Sequence, residues 1–143
     1  MSYSVLLTLH LIAATLFVGT VFFEVIILEG IRPHVPRDTM RLLERAIGKR
    51  ARRIMPWVLL VLYAAGISMA WHYRHLLSHP LGSGFSLLLT LKIILATSVF
   101  AHFATAMIMH ARHRLRSVHF KWIHISVFIH VLLIVFLAKA MFY

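Results

Sequence analysis

Near its start the chain reads SVLLTLHLIAATLFVGTVFFEVIIL, residues 4–28, an apolar stretch interrupted by one histidine and one glutamate. A helical residue turns about 100° from the one before it, so His10 and Glu24 fall on nearly the same face of a helix. An ionisable side chain inside a bilayer costs about 2.5–3.5 kcal/mol on insertion scales, so this face should contact protein, water or a bound group. We therefore expect the rest of the chain to cover it.

The composition of the 143 residues is that of a membrane protein. Hydrophobic residues make up 61% of the chain and the mean hydropathy is +0.87, far above the values of soluble domains. Three further apolar stretches, residues 54–73, 85–109 and 121–142, are also long enough to cross about 30 Å of hydrocarbon. We predict an all-α integral membrane protein, a single domain (1–143) whose four transmembrane helices form an up-down bundle. The absence of cysteine excludes disulfides and thiolate metal sites.

The net charge of +11 is concentrated in two of the three connections between these stretches. The second connection holds only Arg74. The basic residues of the first and third connections are Arg32, Arg37, Arg41, Arg45, Lys49, Arg50, Arg52, Arg53, Arg112, Arg114, Arg116 and Lys121. By the positive-inside rule these two connections face the cytoplasm. We expect a bacterial inner-membrane protein with both termini on the periplasmic side, and a basic surface that meets membrane rather than nucleic acid.

The first connection has a helical pattern of its own. Pro33 and Pro36 should break the first helix, and Asp38 can then cap a segment over residues 39–53. Its apolar residues recur at intervals of three, four and seven, at Met40, Leu43, Ile47 and Ile54. This spacing predicts an interfacial helix between the first two spans, with its arginines among anionic lipid headgroups.

Depth along each helix divides the intramembrane polar residues into two clusters. The outer cluster contains His10, His72, Lys92 and Lys139, and the inner cluster contains Glu24, His102, His124 and His130. Counting about 1.5 Å per residue, His10 is close in depth to His72, and His102 is close to His130 or His124.

Paired histidines at one depth suit a haem. Two neutral imidazoles from different helices make a six-coordinate b-type site, so either pair predicts one haem b and both pairs predict two. Lys92 and Lys139 would then pair with haem propionates or an acidic substrate. Glu24 is a candidate proton-transfer group, or else the buried partner of Arg52 or Arg53.

A copper site is the alternative at the outer loop. His72, His75 and His79 fall at spacings that place imidazoles on one helical face, and such a set binds Cu(II) or Zn(II). A copper-handling protein would receive the ion there and pass it inward through His10.

Several short motifs resemble a known family. They are Leu9-His10-Leu11-Ile12-Ala13-Ala14 with Phe17-Val18-Gly19, Arg53-Ile54-Met55-Pro56 leading to Ala65-Gly66, and Leu87-Leu88-Leu89-Thr90-Leu91-Lys92-Ile93-Ile94-Leu95. In these the chain looks like the CopD-type four-helix membrane proteins and their relatives, the HemJ-type protoporphyrinogen oxidases. The resemblance implies a haem or metal role for His10, and it matches Lys92 and Lys139 to two lysines of the HemJ pattern.

The chain departs from the HemJ pattern at the start of the fourth helix. It reads His124-Ile125-Ser126-Val127 where those proteins have an Asn-Glu-Val-Pro-like sequence. This difference argues against porphyrinogen oxidation, which remains a second alternative. Our leading expectation is a membrane b-type cytochrome that passes electrons between haem and a quinone, a small oxidant or a partner protein. The sequence leaves open whether it is also an enzyme, which would be a haem-dependent membrane oxidoreductase. Completion of the haem site across a homodimer is a further option.

The charge distribution generates a prediction about topology. Reporter fusions after Arg50 and after Arg116 should remain in the cytoplasm, and a fusion after Gly82 should be translocated, because twelve basic residues flank the first two positions and one flanks the third. Alkaline phosphatase and fluorescent-protein fusions measure this directly. The opposite pattern would invert the orientation and exchange the outer and inner clusters.

Overall fold

The computed structural model of the protein describes residues 1–114 and 117–143, which form helices and turns and contain no strand. Arg116, one of the basic residues of the third connection and one of the fusion sites, lies outside these residues. The chain divides into two compact units, Met1–His72 and Tyr73–Tyr143. Each is described by itself, and the single four-helix domain stays a prediction.

The first unit begins with helix α1, Tyr3–Phe22. The Ser2 side chain caps it by accepting a hydrogen bond from the Val5 N–H at 3.4 Å. Helical structure then continues through a π-helical segment, Phe23–Leu28, a short helix α2, Glu29–Ile31, and a 3-10 turn, Arg32–His34. The chain becomes extended at Val35, so the predicted break around Pro33 and Pro36 is confirmed.

Helix α3, Arg37–His72, joins two elements that the sequence analysis separates. The basic segment 39–53 and the second span form one helix of 36 residues, and Asp38 lies in its first turn rather than before it. Pro56 lies inside the helix because proline removes only one backbone N–H, and a membrane helix tolerates that loss. Of the four apolar residues of the predicted face, Met40 is buried and Ile47 half-buried, while Leu43 and Ile54 are exposed.

Three contacts show that α1 and α3 run antiparallel. The Tyr3 ring meets the His72 ring edge-on at 5.7 Å, and His10 reaches Leu62. Beyond α1, Arg32 forms ion pairs with Glu29, at 2.7 Å, and with Glu44 of α3. Residues that face each other across this hairpin therefore have numbers that sum to about 75 along its whole length. The apolar core between the two helices contains Leu6, Ala13, Phe17, Val21, Val58, Leu59 and Ala65.

The second unit consists of a short helix α4, Arg74–Leu77, and two long helices, α5, Gly84–Ala111, and α6, Ser117–Ala140. The turn before α5 is held by Ser86, whose hydroxyl donates to the carbonyls of Leu76 at 2.5 Å and His79 at 2.9 Å. Buried valines lie between α5 and α6, at Val99, Val127 and Val131.

The second hairpin is also antiparallel. The ring of Phe85, near the start of α5, lies 6.0 Å from the ring of Phe142, just beyond the end of α6.

Four stretches are long and apolar enough to cross a membrane: Tyr3–His34, Arg37–His72, Gly84–Ala111 and Val118–Ala140. Many large apolar side chains on them are exposed, as lipid-facing residues should be. The predicted all-α class, four membrane-spanning helices and lipid contact are therefore confirmed. The first two stretches have 32 and 36 residues, so at about 1.5 Å per residue they are longer than the hydrocarbon layer requires.

Candidate functional site

His10 is fixed between α1 and α3 by a hydrogen bond and a glycine. Its Nδ1 lies 2.9 Å from the Leu62 carbonyl oxygen. Because a carbonyl only accepts, Nδ1 carries a proton, and in the neutral ring the lone pair is on Nε2. One helical turn later, a Cβ at Gly66 would lie 3.1 Å from His10 Cε1 and 3.3 Å from Nδ1. The missing side chain of Gly66 therefore makes the space that the imidazole fills.

His72 lies at a different level of the same hairpin. Its Nδ1–H donates to the Ser68 carbonyl of its own helix at 2.9 Å, and its ring packs on Tyr3. His10 meets α3 at Leu62 and Gly66, six to ten residues before His72, or about 9–15 Å along the helix. The structure does not bring His10 and His72 together, because the register of the hairpin carries α3 past the level of His10.

His102 and His130 do come together, as the depth count predicts. Their ring centroids are 5.2 Å apart, with the planes inclined by 55°. His124, the other predicted partner of His102, instead packs against the Phe120 ring at 4.0 Å.

Two serines that the sequence analysis missed complete the pair. The Ser126 hydroxyl donates to His102 Nε2 at 3.0 Å, and the Ser98 hydroxyl donates to His130 Nε2 at 3.1 Å. The Nδ1–H of His102 donates to the Ser98 carbonyl, and that of His130 donates to the Ser126 carbonyl, each at 2.7 Å. We call these four residues the Ser–His cluster. Each helix supplies one serine and one histidine, so the arrangement is reciprocal.

A repeated motif could have revealed the cluster. Ser98-Val99-Phe100-Ala101-His102 and Ser126-Val127-Phe128-Ile129-His130 are the same Ser-Val-Phe-x-His sequence. A spacing of four places the serine one turn before the histidine, on the same helical face. On antiparallel helices, two such motifs bring each hydroxyl opposite the other imidazole.

Haem binding between His102 and His130 stays a prediction. Here both Nε2 atoms accept hydrogen bonds from the facing helix, and α5 packs directly on α6. His10 has the arrangement typical of metal-binding histidines, whose second ring nitrogen donates to a carbonyl.

Glu24 is a buried carboxylate at the start of the π-helical segment, with 7% of its surface exposed. The register of the first hairpin puts it at the level of Arg52, whose guanidinium lies against Gly48. Single π-helical turns inside α-helices often occur at functional positions. The proton-transfer role of Glu24 stays a prediction.

The remaining predicted residues are dispersed. Lys92 is half-buried on α5, and Lys139 is exposed on α6 with its Nζ 5.8 Å from the centre of the Tyr143 ring. His75 lies on α4 and His79 in the turn after it. Within residues 1–114 and 117–143, no group of three histidine or carboxylate side chains gathers around a common point. Copper binding by His72, His75 and His79 stays a prediction.

Comparisons with known proteins give no match: no family model, no curated protein and no solved structure is similar to the chain. The CopD-type and HemJ-type resemblance therefore stays a prediction based on its motifs.

The contact between His10 and Gly66 can be tested against a second glycine. Alanine is favoured over glycine in a helix by about 1 kcal/mol. Gly19→Ala should gain stability of that order, because nothing lies within 4 Å of the added Cβ. Gly66→Ala should gain nothing or lose stability, because its Cβ must displace the anchored imidazole. Reversible unfolding in mixed micelles measures both, and equal stabilisation would contradict the contact.

Proposed function

We propose that the protein is a membrane b-type haem protein in which the His10 imidazole would bind the haem iron. The observation that carries the proposal is the His10 imidazole, whose Nδ1–H donates to the Leu62 carbonyl and whose ring lies against Gly66. Neutral imidazole inside a helical membrane protein is the usual ligand of b-type haem iron. The resemblance to haem-associated membrane proteins also assigns this role to His10.

The surroundings of His10 determine what the chain contributes to such a site. The Leu62 carbonyl orients the ring and makes Nε2 a stronger electron-pair donor. Ala13 is buried and Ala14 half-buried on the same helix, so a flat group meets small side chains. The apolar helices exclude water, which raises the cost of changing charge at the site and so affects its reduction potential. A bound haem would supply one-electron transfer.

The proposed partners follow from the rest of the chain. A quinone dissolved in the bilayer, a small oxidant or a redox protein would exchange electrons with the haem. Lys92 and Lys139 are proposed partners of the propionates. The exposed cations of the basic segment 39–53 are proposed to bind anionic lipids on the cytoplasmic side of a bacterial inner membrane, which places both termini outside.

Haem binding is tested on the purified full-length protein from haem-supplemented cells. A pyridine haemochrome assay should give haem b in stoichiometric amount, and the absorption spectrum of the untreated protein should be low-spin. His10→Ala should abolish that haem or leave a high-spin form whose ferrous state binds carbon monoxide, because one axial position is lost. His75→Ala, on an exposed short helix, is the matched control and should keep the native spectrum.

Two results would overturn the haem assignment. One is a folded protein that contains no haem after supplementation. The other is a His10→Ala variant with full haem content and an unchanged low-spin spectrum. His102→Ala and His130→Ala should both retain haem, since we assign the iron to His10.

Binding of anionic lipid is tested by replacing three exposed cations. Arg41, Arg45 and Lys49 recur every four residues along one side of α3 and are exposed. Each basic residue near an anionic surface contributes about 1 kcal/mol, so replacing all three by glutamine should strongly reduce the phosphatidylglycerol retained. Native mass spectrometry counts the bound lipids, and Arg74→Gln is the control. The haem spectrum should not change, and unchanged lipid retention would contradict the assignment.

A further inference from the structure

The Ser–His cluster contains two hydroxyl–imidazole pairs with the geometry of base-activated nucleophiles. In one, the Ser126 hydroxyl donates to His102 Nε2 at 3.0 Å, and His102 Nδ1–H donates to the Ser98 carbonyl at 2.7 Å. A nucleophile within 2.6–3.2 Å of a base that a third group orients is the recognised arrangement. Ser98, His130 and the Ser126 carbonyl repeat it at 3.1 and 2.7 Å.

Other helical hydroxyls of this protein behave differently. Ser68, Thr97 and Thr105 donate to the carbonyl four residues earlier in their own helices, at 2.7–2.9 Å. That local bond is the ordinary solution for a hydroxyl in a helix. Ser98 and Ser126 instead direct their hydroxyls at an imidazole of the facing helix. Ser68 is the informative contrast, because His72 follows it at the same interval of four.

We propose that the Ser–His cluster is a nucleophilic site that accepts acyl groups from lipid esters. In the acylation step, Ser126 Oγ bonds to the ester carbonyl carbon and its proton passes to His102 Nε2. The bond from that carbon to the alcohol oxygen breaks, and the departing oxygen takes the proton from His102. The hydroxyl of a second lipid then takes the acyl group from Ser126: its oxygen bonds to the acyl carbon, the bond to Ser126 Oγ breaks, and His102 passes the proton from the lipid hydroxyl to Ser126 Oγ. Ser98 and His130 form the equivalent pair.

The location of the cluster determines the class of substrate. All four residues are half-buried in α5 and α6, within stretches apolar enough to cross the membrane. A reactant reaching these hydroxyls arrives from the hydrocarbon, so a long-chain acyl ester suits the site and a charged, water-soluble ester does not. The reaction requires no haem and does not involve His10, so its test is independent of the haem assignment.

The test uses a long-chain alkyl fluorophosphonate on the purified full-length protein in detergent. Its phosphorus bonds to an activated serine oxygen, fluoride leaves, and the serine proton passes to the imidazole. Trypsin then yields peptides 54–74, 93–112 and 122–139, each with a single serine: Ser68, Ser98 and Ser126 respectively. We expect an adduct on one or both of the last two peptides, none on peptide 54–74, and none after denaturation in hot detergent.

Base variants give the readout that a purely structural cluster would not. Loss of a general base typically costs 10²–10⁴-fold in rate. His102→Gln should slow labelling of Ser126 by roughly a hundredfold and spare Ser98, and His130→Gln should do the reverse for Ser98. His72→Gln is the control and should change neither rate. Helix content by circular dichroism checks that each variant is folded.

The native protein alone is sufficient to overturn the assignment. Absence of an adduct on both Ser98 and Ser126 in the folded protein would show that the hydroxyls only join the two helices. Equal labelling of Ser68 would show that the reagent reports exposure rather than activation. Labelling rates that are unchanged in both base variants would show that the imidazoles do not activate the serines.

Discussion

The structure depends on one constraint: an N–H inside the hydrocarbon must find its acceptor within the protein. Four intramembrane histidines meet it in the same way, by donating Nδ1–H to a backbone carbonyl; they are His10, His72, His102 and His130. A helical carbonyl has a second lone pair, so it accepts this bond while keeping its place in the helix. The consequence is chemical, because in the neutral form each of these rings has its lone pair on Nε2.

The two hairpins differ in the small residue that lies beside the anchored imidazole. Gly66 places no side chain against His10, and a ring packed there suits the coordination of iron. Ser98 and Ser126 bring hydroxyls to His130 and His102, and this combination suits transfer of a proton from oxygen to nitrogen. A difference of one small residue beside each imidazole thus distinguishes the site proposed to bind haem from the site proposed for nucleophilic chemistry.

The sequence predicted the helices better than the contacts between them. Hydropathy and charge identify the four spans because both are local properties, although α3 continues across the expected boundary. The meeting of His102 and His130 was predictable because a short link fixes the register of α5 and α6. The level of His10 was not, because the π-helical and 3-10 segments before α3 do not rise by 1.5 Å per residue. The repeated Ser-Val-Phe-x-His motif contains Ser98 and Ser126. The sequence did not single them out because composition and depth were used only to select ionisable side chains.

The reciprocal form of the Ser–His cluster also makes it a register lock for the second hairpin. Two of its four hydrogen bonds cross between α5 and α6, and each of these requires one serine to stand opposite one histidine. If α6 slid by one turn, histidine would face histidine in one direction and serine would face serine in the other, and both hydroxyls would lose their imidazoles together. Valines elsewhere in the interface tolerate such a slip, because apolar surfaces fit one another at many offsets. The two short motifs therefore give this apolar helix pair a single permitted alignment.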